Sequence, residues 1–147
     1  MQPKSVSDAG GESLPASSRF SLPVRVYYED TDAGGIMYHA KYINWCERAR
    51  SEYLRAVDLQ SSELHANHGI LFVVRHLEAD YFKPARLDEL LRVDTVLKEM
   101  KNSSFLLNQS IFCQDYMLFS MTVTIVCIDA NARPVRIPEI VRTKLKE

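Results

Sequence analysis

Apolar positions change their spacing twice along the chain, and those changes mark its elements. In "LPVRVYYE" Val24, Val26 and Tyr28 alternate with Arg25 and Tyr27, the period-two pattern of a strand. From Tyr38 to Val57 the apolar residues Tyr42, Trp45, Cys46, Ala49, Tyr53 and Ala56 recur three or four apart. Asn44, Glu47, Arg48, Arg50, Glu52 and Arg55 take the remaining face, so the spacing predicts an amphipathic helix with a thick aromatic stripe. A short helical piece over Ser61 to Asn67 is ended by Gly69. Period two then returns. "ILFVVRHLEADYF" is β-branched and aromatic up to Pro84, and Leu91, Val93, Thr95 and Leu97 alternate with Arg92, Asp94, Val96 and Lys98. "SSFLLNQSIFC" sets Phe105, Leu107, Gln109, Ile111 and Cys113 on one face, and "YMLFSMTVTIVCID" follows the same rule. The connections "KNS" and "QD" suit hairpins, which makes the last three strands an antiparallel meander. "IPEIVRTKLKE" closes the chain as a helix with Pro138 at its first turn.

One long helix among about five strands implies an α+β domain, because a curved antiparallel sheet buries one face most economically by wrapping around that helix. A single helix covers such a sheet incompletely. The bare edge and uncovered surface predict self-association, most simply as a two-fold dimer. Residues 1–20, rich in Ser, Gly, Pro and Ala with little to bury, read as a disordered leader, and residues 21–147 as one domain.

Composition narrows the function classes. The chain has 147 residues, 46% hydrophobic and 25% charged, with a net charge of −1, so no field of one sign recruits nucleic acid or an anionic membrane. Cys46, Cys113 and Cys127 are an odd number without the close pairing of a metal knuckle or redox motif, and read as reduced thiols of a cytoplasmic protein. No apolar run reaches the ~20 residues that span a bilayer.

Candidate chemistry concentrates in "EDTDAGG" between the first strand and the long helix. Gly34 and Gly35 remove side chains where the backbone turns sharply or admits a ligand. Unpaired N–H groups of the helix's first turn point back toward this loop and can hold a developing oxyanion. A carboxylate beside them can serve acyl transfer as base or nucleophile. Spacing alone favours the other reading, since Asp and Thr ahead of a helix are common helix caps and turn formers.

"YYEDTDAGGIMYHAKYINWCERAR" and, further on, "FVVRHLEADYFKPARLDELL" resemble, in order, two sequence blocks of the hotdog-fold acyl-CoA thioesterases of the 4-hydroxybenzoyl-CoA thioesterase type, above all the Tol-Pal-associated branch. The resemblance runs from about Pro23 to about Lys144. It implies a hotdog fold and hydrolysis of acyl-CoA to free acid and coenzyme A, with no metal or bound cofactor, coenzyme A being part of the substrate. It also places the catalytic carboxylate on Asp32 and the carbonyl-polarising helix N-terminus at His39, with Gly35 and Tyr38 at the entrance. Asp32 would either attack the carbonyl or deprotonate a water. Arg75, Lys83, Pro84 and Arg86 become candidates for the ligand groove, reached across the subunit interface, where cations can pair with the coenzyme's phosphates. The resemblance further implies a homodimer or homotetramer working near the inner membrane, with acyl carrier protein or phospholipid-synthesis enzymes as candidate partners.

Two rival functions remain: dehydration of an acyl thioester, which needs a positioned His with an acid partner, and an envelope-associated or acyl-carrier-protein-binding scaffold with weak thioesterase activity. Other residues read as structural. His65 and His68 with Glu63 form a weak metal hint at a solvated helix end, His76 a satisfied strand histidine, Cys46 a core thiol, and Trp45, Tyr42 and Tyr53 core or dimer aromatics. Arg133 and Arg136 are weaker groove candidates. Met37, Ile43, Phe72 and Phe105 are candidates for setting the depth of an acyl pocket between helix and sheet.

Overall fold

The computed structural model describes residues 19–146. The expected leader lies outside them except for Arg19 and Phe20, which open the first strand. The elements are β1 (Arg19–Arg25), α1 (His39–Ala56), α2 (Ser61–His68), β2 (Leu71–Tyr81), β3 (Leu90–Met100), β4 (Ser104–Cys113), β5 (Tyr116–Ile128) and α3 (Glu139–Leu145). The strands form one antiparallel sheet in the order β1-β3-β4-β5-β2. The α+β arrangement of one sheet and one long helix is therefore present, with β3, β4 and β5 as the meander.

The face that the alternation selects is the buried one. Leu91, Val93, Thr95 and Leu97 of β3, and Phe105, Leu107, Gln109 and Ile111 of β4, are all withdrawn from solvent. Against them α1 lays Tyr42, Trp45, Cys46, Ala49 and Tyr53, while Ala56 at its end is exposed. Gln109, the one amide in this core, is fully buried and satisfied: it donates to the Cys46 carbonyl at 2.8 Å and to Thr95 Oγ1 at 2.9 Å, and its own oxygen accepts from Arg50 Nη1 at 3.1 Å. That bond pins the middle of the helix over the middle of the sheet. Burial pushes the Cys46 thiol up to about 12, so it stays a neutral core group. α3 follows Pro138 and shields Val141 and Leu145, and Tyr53 Oη donates to the Leu145 carbonyl at 3.1 Å.

Tyr28 departs from the strand pattern. β1 ends at Arg25, and Tyr28 sits in a 3-10 turn over Tyr28–Asp30, 81% exposed. The cause is Asp30, whose Oδ2 accepts the Tyr27 N–H at 2.9 Å and bends the chain out of the sheet.

The two sheet edges differ. β1 carries Pro23, which has no N–H to offer a further strand. β2 is an 11-residue edge with a bulge at Arg75 and with Leu71, Val73 and Val74 exposed. Phe119 of β5 is fully buried, its ring 5.3 Å from Tyr42 and 4.8 Å from Tyr81. Phe119→Ala should cost about 3–5 kcal/mol of stability, read as a lower urea midpoint with an unchanged slope.

Candidate active site

The segment from Asp30 to Tyr38 is a tight hairpin leaning on the loop before β3. Thr31 bridges Met37, the Asp32 N–H donates to the Ile36 carbonyl at 2.9 Å, and the Gly35 N–H donates to the Asp32 carbonyl at 3.0 Å. Gly35 has φ +80°, a left-handed conformation that a side chain would strain. At Gly34 an added Cβ would come within 3.3 Å of Asp32 Oδ1. The glycines therefore serve the turn and leave room for the carboxylate.

Asp32 stands exposed at the hairpin tip. Its Oδ1 accepts the Gly34 N–H at 2.8 Å, which orients the carboxylate without covering it. The capping alternative fails here: Tyr38 is the N-cap of α1 and no side chain caps that end. Asp30, Thr31 and Asp32 are engaged elsewhere, Thr31 Oγ1 on the Tyr28 carbonyl at 2.8 Å. The N–H groups at the start of α1 thus keep their capacity to bind an anion.

Asp30 is the buried carboxylate, 2% exposed. Beyond the Tyr27 N–H it faces Lys41 Nζ at 3.3 Å, and its backbone carbonyl accepts the Tyr38 N–H at 2.8 Å. Strand exit, hairpin and first helical turn are thereby fastened together. Tyr42, in that first turn, accepts the Ala85 N–H at 2.9 Å on its hydroxyl. Burial pushes the Tyr42 phenol up, against the lowering effect of the hydrogen bond from the Ala85 N–H, and the carboxylates of Glu89 and Asp32 add to the rise.

His39 opens α1, its exposed side chain 4.6 Å, ring to ring, from Tyr38. The His39 carbonyl accepts from Tyr81 Oη at 2.7 Å. Tyr81 was invisible as a site residue in the sequence, where it is one aromatic among many in a strand. Its contact crosses 42 positions.

Lys83, Pro84 and Arg86 line one open groove of about 820 Å³, shared with Arg25, Asp88, Glu89, Cys113 and Tyr116. The groove adjoins the hairpin, since Ile36 bridges Arg86 and the Met37 N–H donates to the Ala85 carbonyl at 2.8 Å. Lys83 Nζ lies 4.6 Å from the Tyr116 ring centre. Arg75 is absent from this lining and lies exposed at the bulge of β2, because the strand carries it to the opposite end of the sheet from the groove. His65 and His68 are exposed on α2, and among the described residues no three His, Cys, Asp or Glu side chains converge to hold a metal. His76 is exposed rather than packed, with Nε2 3.1 Å from Glu78 Oε2. Among the described residues no helix is long and apolar enough to cross a membrane.

Comparison with known proteins agrees with this geometry. Residues 26–145 match the family model of the thioesterase-like superfamily. The chain is 44% identical over 124 residues to the acyl-CoA thioesterase YbgC of Haemophilus influenzae, covering 84% of this chain and 91% of the relative. It is 39% identical over 130 residues to the acyl-CoA thioester hydrolase YbgC of Escherichia coli O6:H1, covering 87% and 96%. The "Probable Thioesterase" of Bartonella henselae superposes with a TM-score of 0.79 at 35% identity, covering 82% of this chain and 99% of that one. The hotdog arrangement expected from the two sequence blocks is thus the arrangement of its relatives, and the chain belongs to the thioesterase-like superfamily.

Proposed function

We propose that this chain hydrolyses acyl-CoA thioesters, with Asp32 as the base and the N-terminus of α1 as the oxyanion site. The observation that supports it most is the exposed Asp32 carboxylate, oriented by the Gly34 N–H on a hairpin fastened to an uncapped helix start. The names of the relatives point to the same substrate class.

In this reading the thioester oxygen lies on the first-turn N–H groups around His39, where the helix end stabilises negative charge. Asp32 takes a proton from a water at the open hairpin tip as that water's oxygen bonds to the acyl carbon. Collapse of the tetrahedral intermediate breaks the C–S bond, and the proton held by Asp32 passes to the departing sulfur. The products are a free acid and coenzyme A, and the steps need only water and the chain's own groups. Gly35 and Tyr38 frame the entrance. Lys83 and Arg86, with Arg25, receive the coenzyme's phosphates in the groove beside Ile36, three cations against the carboxylates of Asp88 and Glu89. The dehydratase reading loses support, because the free, oriented carboxylate is that of Asp32 at the hairpin tip, and His39 makes a ring contact with Tyr38 rather than a pair with an acid.

The working unit is a homodimer joined along β2. Its edge is long and free of proline and exposes Leu71, Val73 and Val74 at one end, whereas β1 is blunted by Pro23. Two β2 edges meeting antiparallel extend the sheet across a two-fold axis.

Asp32→Asn should reduce kcat by at least about a hundredfold with little change in melting temperature, because the substitution removes the base and keeps the shape. Near-normal turnover would remove Asp32 from the mechanism. Lys83→Ala with Arg86→Ala should raise KM for an acyl-CoA and leave KM for the matching acyl-pantetheine, which lacks the phosphates, within about twofold. Val73→Lys should shift the sedimenting species toward monomer by placing a charge on the pairing edge.

A further inference from the structure

Two backbone donors at the start of α1 are unspent. Tyr38, the N-cap, gives its N–H to the Asp30 carbonyl at 2.8 Å, and the Lys41 N–H closes on the Tyr38 carbonyl at 2.9 Å. No side chain caps this end, so among the described residues the N–H groups of His39 and Ala40 have no acceptor. The oxyanion site proposed above therefore narrows to these two groups.

Each belongs to an amide whose oxygen is held at the other end. The His39 N–H shares its amide with the Tyr38 carbonyl, which Lys41 holds from within the same turn. The Ala40 N–H shares its amide with the His39 carbonyl, and that oxygen accepts from Tyr81 Oη at 2.7 Å. The second anchor differs in kind, being a side chain that the last residue of β2 brings to the helix from 42 positions away. A hydrogen bond accepted by a carbonyl makes the N–H of the same amide a stronger donor, because bonds in a chain polarise one another. It also fixes the plane of the amide, as a donor aimed at a developing charge requires.

Packing sets the phenol in place. The Tyr81 ring meets the buried rings of Tyr42 and Phe119 edge to face, at 5.1 Å and 4.8 Å. Tyr42 is itself fixed by the Ala85 N–H on its hydroxyl. Partial burial, with Tyr42 and Cys46 nearby, raises the Tyr81 pKa, so the hydroxyl stays protonated and donates across neutral pH. Phenylalanine would serve the ring contacts equally. What the hydroxyl adds is the bond to the helix start.

We propose that Tyr81 is a positioning residue for hydrolysis: its hydroxyl orients and polarises the His39–Ala40 amide, so that the Ala40 N–H, beside that of His39, receives the negative charge of the thioester oxygen in the transition state. The inference rests on the hydrolytic reading proposed above. That charge develops only as the water's oxygen bonds to the acyl carbon, so the contribution falls on kcat rather than on binding of the intact thioester.

The test is steady-state kinetics of the purified full chain on the best substrate of a butyryl-, hexanoyl-, palmitoyl- and benzoyl-CoA panel, with two replacements of one side chain. Tyr81→Phe keeps the ring and loses only the hydroxyl. Its kcat should fall about tenfold, less than the ~100-fold or more set by losing an oxyanion donor itself, with KM within about twofold and the urea midpoint little changed. Fluorotyrosine in place of Tyr81 keeps the ring's shape and donates more strongly, so it should hold kcat at or above the wild-type value at a pH where the hydroxyl is protonated. A hydroxyl that served packing alone would not respond to donor strength. A wild-type kcat in Tyr81→Phe, a loss carried by KM, or a fluorotyrosine enzyme no faster than Tyr81→Phe overturns the inference. Asp32→Asn keeps the two readings apart: if it stays active the hydrolytic reading fails, and if it is inactive while Tyr81→Phe is fully active, only the role of Tyr81 fails.

Discussion

Asp30 holds together the junction on which the site depends. Its carboxylate is buried, takes the Tyr27 N–H, and faces the Lys41 ammonium, while its backbone carbonyl takes the Tyr38 N–H. One residue therefore joins the strand exit, the end of the hairpin and the first turn of α1. A carboxylate withdrawn from water carries a desolvation cost of several kcal/mol, offset only where a counter-charge and hydrogen bonds meet it. Lys41 is an unfavourable residue for the first turn of a helix, since its charge opposes the positive end of the dipole. Its pairing with Asp30 resolves that conflict and leaves the charge near the helix start balanced. The carboxylates at 30 and 32 are two positions apart yet divide the work, one fixing the backbone and the other left free in solvent.

Much of this was legible in the sequence because it is local. Period-two runs became β2 to β5, the three-four spacing became α1 to within a residue at each end, and Gly69 ends α2 in the left-handed conformation at φ +65°. The loop chemistry was half legible. Asp32 and the glycines stood out, but spacing alone favoured a cap over a base, and only the hairpin hydrogen bonds show that Asp32 does not cap α1. Tyr28 followed the alternation and still left the sheet, since a side-chain acceptor two positions later outweighed its strand propensity.

The residues that sequence reasoning missed share one property. Tyr81 on the His39 carbonyl, Ala85 on the Tyr42 hydroxyl, and Arg50 on Gln109 are separated by 42, 43 and 59 positions. Each looks like an ordinary core aromatic, loop alanine or surface arginine until the sheet brings it to its partner. Arg75 separates from its sequence neighbours: near Lys83 in sequence, it is carried away within one chain by the rise of a strand at ~3.3 Å per residue. Distance along an extended chain becomes distance in space, and only the Lys83–Arg86 cluster, after the strand has ended, stays beside the hairpin.

The incomplete cover that one helix gives a five-stranded sheet links these features. α1 is pinned at its middle by Gln109, so its N-terminus meets the hairpin and its later turns lie over the Phe72 end of β2. There the helix and sheet part enough to leave a cavity, and the same end of β2 is the unpaired edge. A better-covered sheet would close both. In the homodimer proposed above, a second copy along β2 would pair that edge and meet its unsatisfied backbone.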